Sequence, residues 1–448
     1  MSNVLHTTTT ANNSCWFYEN PPKEFFVYLS AKGMKAPKKT QRPPLNIALV
    51  IDRSGSMDGE KLNYTKKAVD FVINNVESTD YMALIQYDDK VNVLSPSELV
   101  QDKKALHQKV AQIQSGGSTN LSGGMLEGYS QVKHTKTGGS SLTKQILSLL
   151  QPSPNSKEKE GLINRVLLLS DGLANVGITD LAQLQQIAQK KFREDNIGLS
   201  TFGVGTDFNE ELMTNLAEYG GANYYFIGKP DEIPQIFAKE LAGLLAVVAQ
   251  NTQVSIEFPA EYLKLTKVYG YPSQSSNGKV QINLNDIFSE EEKAVLIGFE
   301  VLSLPTTPFE IKVHWSFDDV IEQMDKVRTS QTLHFAPTPH SEEVLQHINK
   351  TVIEQVLLFT ANDKFEEVLK DMDNRNYDVA KEKLSALISY LEANFALVQP
   401  NEELQKQYEN MKNYLNNIDT MSTMAADEYL YEQKFSKMAN YSIRKKRS

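Results

Sequence analysis

The chain has 448 residues, 40% of them hydrophobic and 23% charged, with a formal net charge of −10. This length exceeds one ordinary core and implies two or three domains, and the composition is that of a soluble globular protein. The acidic balance argues against a general nucleic-acid binder, and the longest strongly apolar stretch, residues 241–249, is far too short to span a bilayer. A lone cysteine, Cys15, allows no intramolecular disulfide, and residues 1–20 are Thr- and Asn-rich without the apolar core of a secretory signal. A cytoplasmic location is therefore expected.

In chain order, residues 1–13 are expected to be disordered. Residues 17–29 alternate around Phe25, Val27 and Leu29 and read as one or two strands, followed by a Lys/Pro-rich linker at 35–44. From 45 to 250 strands and amphipathic helices alternate. Buried strands are expected at 47–51, 166–170, 198–204 and 224–227, and a hairpin at 83–94 turning on Asp88-Asp89. Helices are expected at 61–75, 103–113, 121–132, 181–192, 210–219 and 233–248. Apolar strands separated by such helices predict an α/β, doubly wound, mostly parallel sheet. Residues 251–338 lose the helical period and alternate like a small antiparallel β-sandwich, with strands at 254–258, 280–284, 293–302 and 309–317. The strands within 14–44 are too short to fold alone and should join that sandwich, so that the α/β domain is inserted into it. Residues 339–448 form a helical C-terminal region, with helices at 344–360, 364–372, 377–397 and 402–416. The stretch 374–391 loosely resembles one tetratricopeptide-type pair, but a plain helical hairpin is the preferred reading. The closing basic run, Arg444, Lys445, Lys446 and Arg447, reads as a solvated tail, with a docking tag for an acidic partner as the sharper alternative.

The chemistry concentrates at three places. Asp52-Arg53-Ser54-Gly55-Ser56 follows the first buried strand, Thr119 lies in the loop Ser115-Gly116-Gly117-Ser118-Thr119-Asn120, and Asp171 follows the strand at 166–170. Ligands bind outside the carboxyl ends of strands in open α/β sheets, so Asp52 and Asp171 should face one crevice. Two carboxylates and three hydroxyls make an all-oxygen site for a hard divalent cation such as Mg2+, with one coordination position left over. A lone D-x-S-x-S would more simply be a helix cap with serines satisfying free amides. Three segments in this order, each at its structural place, favour the metal.

This constellation resembles the von Willebrand factor type A domain and its metal-ion-dependent adhesion site, also seen in integrin inserted domains. The resemblance covers residues 45–250, with Asp52, Ser54 and Ser56 matching the first motif, Thr119 the second and Asp171 the third. It implies Mg2+, with Mn2+ or Ca2+ as alternatives, held directly by some of the five and through water by others. A Glu or Asp of a partner protein would complete the octahedron. The wider layout is similar to multidomain bacterial proteins of this family, and shares its theme with inter-alpha-trypsin-inhibitor heavy chains and calcium-activated chloride channel regulators.

Other candidates are weaker. Asp207 lies at the same sheet edge and could stand just behind the ligands, although capping the next helix is the preferred reading. The insertion at 134–164, roughly thirty residues where a short connection is usual, should emerge at the opposite end of the sheet from the metal. It reads as an ornamental loop before a second contact surface. The seven histidines form no H-E-x-x-H, and there is no G-x-S-x-G elbow or Walker loop. A hydrolase using Ser54 or Ser56 lacks a placed base. The expected function is thus a non-enzymatic, metal-dependent protein–protein interaction scaffold. The alternative is an adaptor subunit of an ATP-driven ring machine of the chelatase kind.

Overall fold

The computed structural model describes residues 4–17, 19–20, 22–35, 43–135, 162–303, 307–322 and 324–445. Nearly all of the long insertion and the end of the basic tail lie outside the described residues. The chain divides into two compact units: Pro37–Val247, and a second unit made of Met1–Ala36 together with Val248–Ser448.

The second unit opens with strands β1 (Leu5–Ala11), β2 (Cys15–Phe17) and β3 (Glu24–Gly33). The expectation of disorder over 1–13 fails here, because residues 5–11 pair antiparallel with β3 along their whole length, from Leu5 opposite Gly33 to Ala11 opposite Val27. The threonine run carries no apolar alternation, yet its β-branched side chains suit an extended ladder whose partner is supplied by β3.

The α/β unit contains β4 (Leu45–Asp52), α1 (Glu60–Asn75), β5 (Tyr81–Tyr87), β6 (Val91–Leu99), α2 (Lys103–Ala111) and α3 (Leu121–Lys133). It continues through β7 (Ile163–Ser170), α4 (Leu181–Asp195), β8 (Gly198–Val204), α5 (Glu210–Tyr219), β9 (Gly221–Ile227) and α6 (Ile233–Leu245). The sheet order is β6-β5-β4-β7-β8-β9, parallel except for β6 against β5. Every residue of β4 and β8 is buried, as expected of strands covered by helices on both faces. Helix α1 buries Leu62, Ala68, Val69, Val72 and Ile73 on one stripe. The side chains of Asp102, Asn120, Asp180 and Asn209 cap α2, α3, α4 and α5 by accepting main-chain N–H bonds. Helix α3 sits unusually close to the sheet: a Cβ at Gly128 would lie 2.6 Å from Val50 Cγ2. Helix α6 stops at Leu245, earlier than its apolar run suggests, because Val247 already begins the next strand.

That strand is β10 (Val247–Glu257), followed by β11 (Leu263–Tyr269), β12 (Ser273–Ser276), β13 (Lys279–Phe288), β14 (Glu292–Val301), β15 (Phe309–Asp319) and β16 (Met324–Thr338). Two sheets form, β1-β3-β14-β11 and β12-β13-β10-β15-β16-β2. β1–β3, β3–β14, β14–β11, β12–β13, β10–β15 and β15–β16 pair antiparallel, whereas β2 and β16 run parallel. The two faces enclose one core that includes Trp16, Phe25, Val27, Leu29, Val254, Ile297, Phe299 and Trp315.

Helices α7 (Ser341–Gln346), α8 (Lys350–Asp373), α9 (Tyr377–Phe395), α10 (Glu402–Met421) and α11 (Ala426–Arg444) complete this unit. Residues 350–373 form one helix rather than two. Asn362-Asp363 looks like a break, but Asp363 is held mid-helix by Lys267 Nζ at 2.5 Å. Residues 374–391 fall on the α8–α9 hairpin, whose turn places Arg375 at φ 58°. Helix α11 has no counterpart in the apolar pattern, since it buries Gln433 and Asn440 as well as Tyr429 and Tyr441. Among the described residues no helix is long and apolar enough to cross a membrane.

Candidate metal centre

Strands β4 and β7 are neighbours, but the chain leaves β4 towards β5 on one side and reaches β8 on the other. Between their carboxyl ends lies the topological switch point at which open α/β sheets bind ligands. Asp52 closes β4, Ser170 closes β7, and Asp171 follows at once. Both strands are interior, so both carboxylates are fully buried, at 0% exposure. Ser54 and Thr119 are also buried, while Ser56 is exposed.

Backbone hydrogen bonds lash the three loops together. Gly55 N donates to Gly117 O at 2.8 Å and Gly116 N to Arg53 O at 2.6 Å, joining the Asp52 loop to the Thr119 loop. Asn175 N and Val176 N both donate to Thr119 O at 3.1 Å, and Thr119 N donates to Asn175 Oδ1 at 2.7 Å, joining the Thr119 loop to the Asp171 loop. Asp88 completes the lashing from the β5–β6 turn. Its carboxylate pairs with Arg53 at 2.5 Å, and its carbonyl accepts from Asn120 N at 2.8 Å. Burial acts to raise the Asp88 pKa, but the Lys90 amide, the Arg53 guanidinium and the Gly117 amide outweigh it and hold the carboxyl below its ordinary value. The approach is so tight that a Cβ at Gly116 would lie 2.0 Å from Asp88 Oδ2.

Asp52 is held by neutral donors: Ser54 N at 2.9 Å to Oδ1, and to Oδ2 both Ser170 Oγ at 2.5 Å and Tyr87 Oη at 3.2 Å. Burial pushes its carboxyl above the usual range and the Asp171 charge adds to this, against the opposing hydrogen bonds from Ser170 and Ser54. The same burial, next to Asp52, drives the Tyr87 hydroxyl well above its normal value. Ser54 Oγ and Ser56 Oγ are 3.2 Å apart. Asp171 accepts from Leu173 N at 3.3 Å on Oδ1 and from Lys61 Nζ at 3.2 Å on Oδ2. Of the two buried carboxylates, Asp171 thus has an ammonium beside it and Asp52 has neutral donors, and oxygen atoms line the crevice. That donor chemistry suits a hard divalent cation. Among the described residues, no three His, Cys, Asp or Glu side chains gather as a metal site, so the hydroxyls are integral to any such set.

All five residues singled out from the sequence therefore belong to one set of interlocked loops at the sheet edge. Asp207 takes neither of its two readings in simple form. Asn209 caps α5, and Asp207, 54% exposed, instead pairs with Lys61 at 2.6 Å. Sequence reasoning passed over Ser170, Tyr87, Asp88, Asn175 and Lys61. Ser170 adjoins Asp171 and could have been found by position, whereas Asp88 was read only as a turn.

Residues 46–239 match the model of the von Willebrand factor type A domain. The chain is 28% identical over 236 residues to an uncharacterised Escherichia coli protein, YfbK, covering 52% of this chain and 37% of that one. It is 23% identical over 327 residues to an Arabidopsis thaliana protein named E3 ubiquitin-protein ligase WAV3, covering 70% and 39%. The chain thus spans well under two thirds of the length of either relative. Its fold is similar across 100% of its length to 98% of a solved von Willebrand factor type A protein from Catenulispora acidiphila, with a TM-score of 0.69 at 13% identity.

Proposed function

We propose that the von Willebrand factor type A domain formed by residues 46–239 acts as a divalent-metal-dependent protein–protein interaction module. In this reading Asp52, Ser54, Ser56, Thr119 and Asp171 hold Mg2+, and an Asp or Glu of a partner protein fills the remaining position. The observation that carries it is the pair of fully buried carboxylates at the sheet's switch point, Asp171 with one ammonium beside it and Asp52 with neutral donors, accompanied by hydroxyls. Such a pair is costly to bury uncompensated, and a bound divalent ion would offset that cost. The ion would supply Lewis acidity towards one anionic oxygen. The chain's own residues orient it: Ser170 and Tyr87 fix the Asp52 carboxylate, and Asn175 fixes the Thr119 loop.

A non-enzymatic role agrees with the serines' surroundings, since Ser54 and Ser56 hydrogen-bond each other and no histidine among the described residues pairs with either. The decisive experiment is a pull-down from native lysate, in Mg2+ and in excess chelator, with wild type and Asp171→Ala. Partners retained by wild type in Mg2+ should be lost in chelator and lost in the variant. Undiminished capture in chelator would sink the proposal.

The loop lashing makes a second expectation. Gly116→Val should force Asp88 from Arg53 and displace the Thr119 loop, weakening Mg2+ binding by about tenfold to a hundredfold, as for other groups that orient metal ligands. Calorimetric titration with Mg2+ would measure this, and an unchanged far-UV spectrum would confirm that the sheet survives.

A further inference from the structure

Resting on that reading of the site, we propose that Lys61 is a built-in counter-cation of the metal centre. Its ammonium competes with the metal for Asp171, and Asp207 is the alternative partner that takes it when the metal binds. Lys61 is the second residue of α1, and its Nζ lies between Asp171 Oδ2 at 3.2 Å and Asp207 Oδ1 at 2.6 Å. The two acceptors differ in kind. Asp171 is fully buried and faces the candidate metal, whereas Asp207 is 54% exposed and turned to solvent. Asn209 N donates to Asp171 O at 2.8 Å, which ties the two acceptor loops to each other.

The track of the lysine stem is also specific. Gly205, at φ 82°, lies under it, and a Cβ there would come within 2.6 Å of Lys61 Cε. The stem thus crosses a position that glycine keeps clear, and the lysine is largely buried, at 18% exposure. At this place a positive charge offsets part of the Asp171 charge and would repel a divalent ion held by the same carboxylate. Removing it should favour the metal by about tenfold, the scale of a doubly and a singly charged cation about 5 Å apart in a water-like medium. Through this competition Lys61 sets how tightly the centre holds its cation. Asp207 eases the exchange by offering the ammonium somewhere else to go.

The test is calorimetric titration of the full chain at pH 7.5 with Mn2+ alone, on wild type, Lys61→Met, Lys61→Arg, Asp207→Asn and the double variant Lys61→Met/Asp207→Asn. Thermal melts establish that each variant is folded. Methionine keeps the stem over Gly205 without the charge, so Mn2+ should bind about tenfold tighter, while arginine should leave the affinity near wild type. Asp207→Asn should weaken Mn2+ binding with Lys61 present and change little in the Lys61→Met background, because Asp207 acts through the lysine. A purely structural ion pair would shift the melts and leave the Mn2+ affinity alone. Lys61→Met binding no tighter than wild type, or Asp207→Asn weakening binding equally in both backgrounds, overturns the counter-cation. Absence of Mn2+ binding by both wild type and Lys61→Met overturns the metal reading, and this inference with it.

Discussion

Asp52→Asn should abolish metal-dependent partner capture and, at the same time, make the chelator-treated protein more stable. The first effect follows from charge. Losing one of two carboxylates facing a divalent ion should cost more than about a hundredfold in Mg2+ affinity. The second follows from burial. The Asp52 carboxyl is raised above its unfolded value chiefly by desolvation, with Asp171 adding to it. Its ionisation at neutral pH therefore opposes folding. That penalty is absent below the unfolded pKa, develops as pH rises from there to the raised folded value, and is complete above it. An amide carries no such penalty, and the hydroxyls of Ser170 and Tyr87, which donate to Asp52, can rotate to accept from it. The variant should melt higher than wild type at pH 7, with the advantage shrinking towards pH 4. Scanning calorimetry in chelator across that range, beside a Mg2+ titration, measures both. A wild-type metal response, or an advantage that grows on acidification, would contradict the assignment.

Removal of residues 1–36 should unfold the sandwich while sparing the α/β unit. Strand β3 is not an edge: it lies between β1 and β14, pairing with β14 from Glu24 opposite Glu300 to Lys32 opposite Glu292. It puts Phe25, Val27 and Leu29 into the core against partners such as Phe299 and Phe335, with Phe25 stacked on Phe299 at 5.1 Å. At roughly 1.5–3 kcal/mol for each fully buried side chain, these three alone contribute about 5–9 kcal/mol. That is comparable to the whole stability of an ordinary domain. In a fragment of residues 248–448 the sandwich strands between 248 and 338 should therefore be cut readily by protease, while the helices after 350 keep a core of their own, and residues 43–247 should melt cooperatively. Circular dichroism melts and limited proteolysis of the two fragments provide the comparison. Protection of residues 248–338 from protease in that fragment would show that β3 is dispensable.

The candidate site was legible because its markers are local. An apolar run that ends in a carboxylate announces both a buried strand and the end of that strand, so Asp52 and Asp171 could be placed on one sheet edge without coordinates. Glycines at 116 and 117 similarly announced a loop where backbones approach closely. Residues that support the site were not legible in this way. Asp88 reads as an ordinary turn residue, and only its pairing with Arg53, 35 positions earlier in the chain, reveals that it organises two loops. Lys61 reads as the solvated start of a helix until Asp171 and Asp207 are found on either side of its ammonium.

The same division holds for the fold. Hydrophobic periodicity determined the order of strands and helices in the α/β unit, the loss of helical period after residue 250 and the return of helices after 340, since each depends on which face of a segment is apolar. Tertiary structure decided what periodicity does not encode. The threonine-rich β1 became a strand because β3 offered it a ladder, and residues 350–373 became one helix because Leu358, Ala361, Phe365, Leu369 and Met372 bury one stripe against the other helices across Asn362-Asp363. Helix α11 could bury polar side chains because Tyr414 accepts a hydrogen bond from Gln433 at 2.6 Å. In each case the segment's own pattern was weak, and the partner that settled its structure lay far away in sequence or on another element.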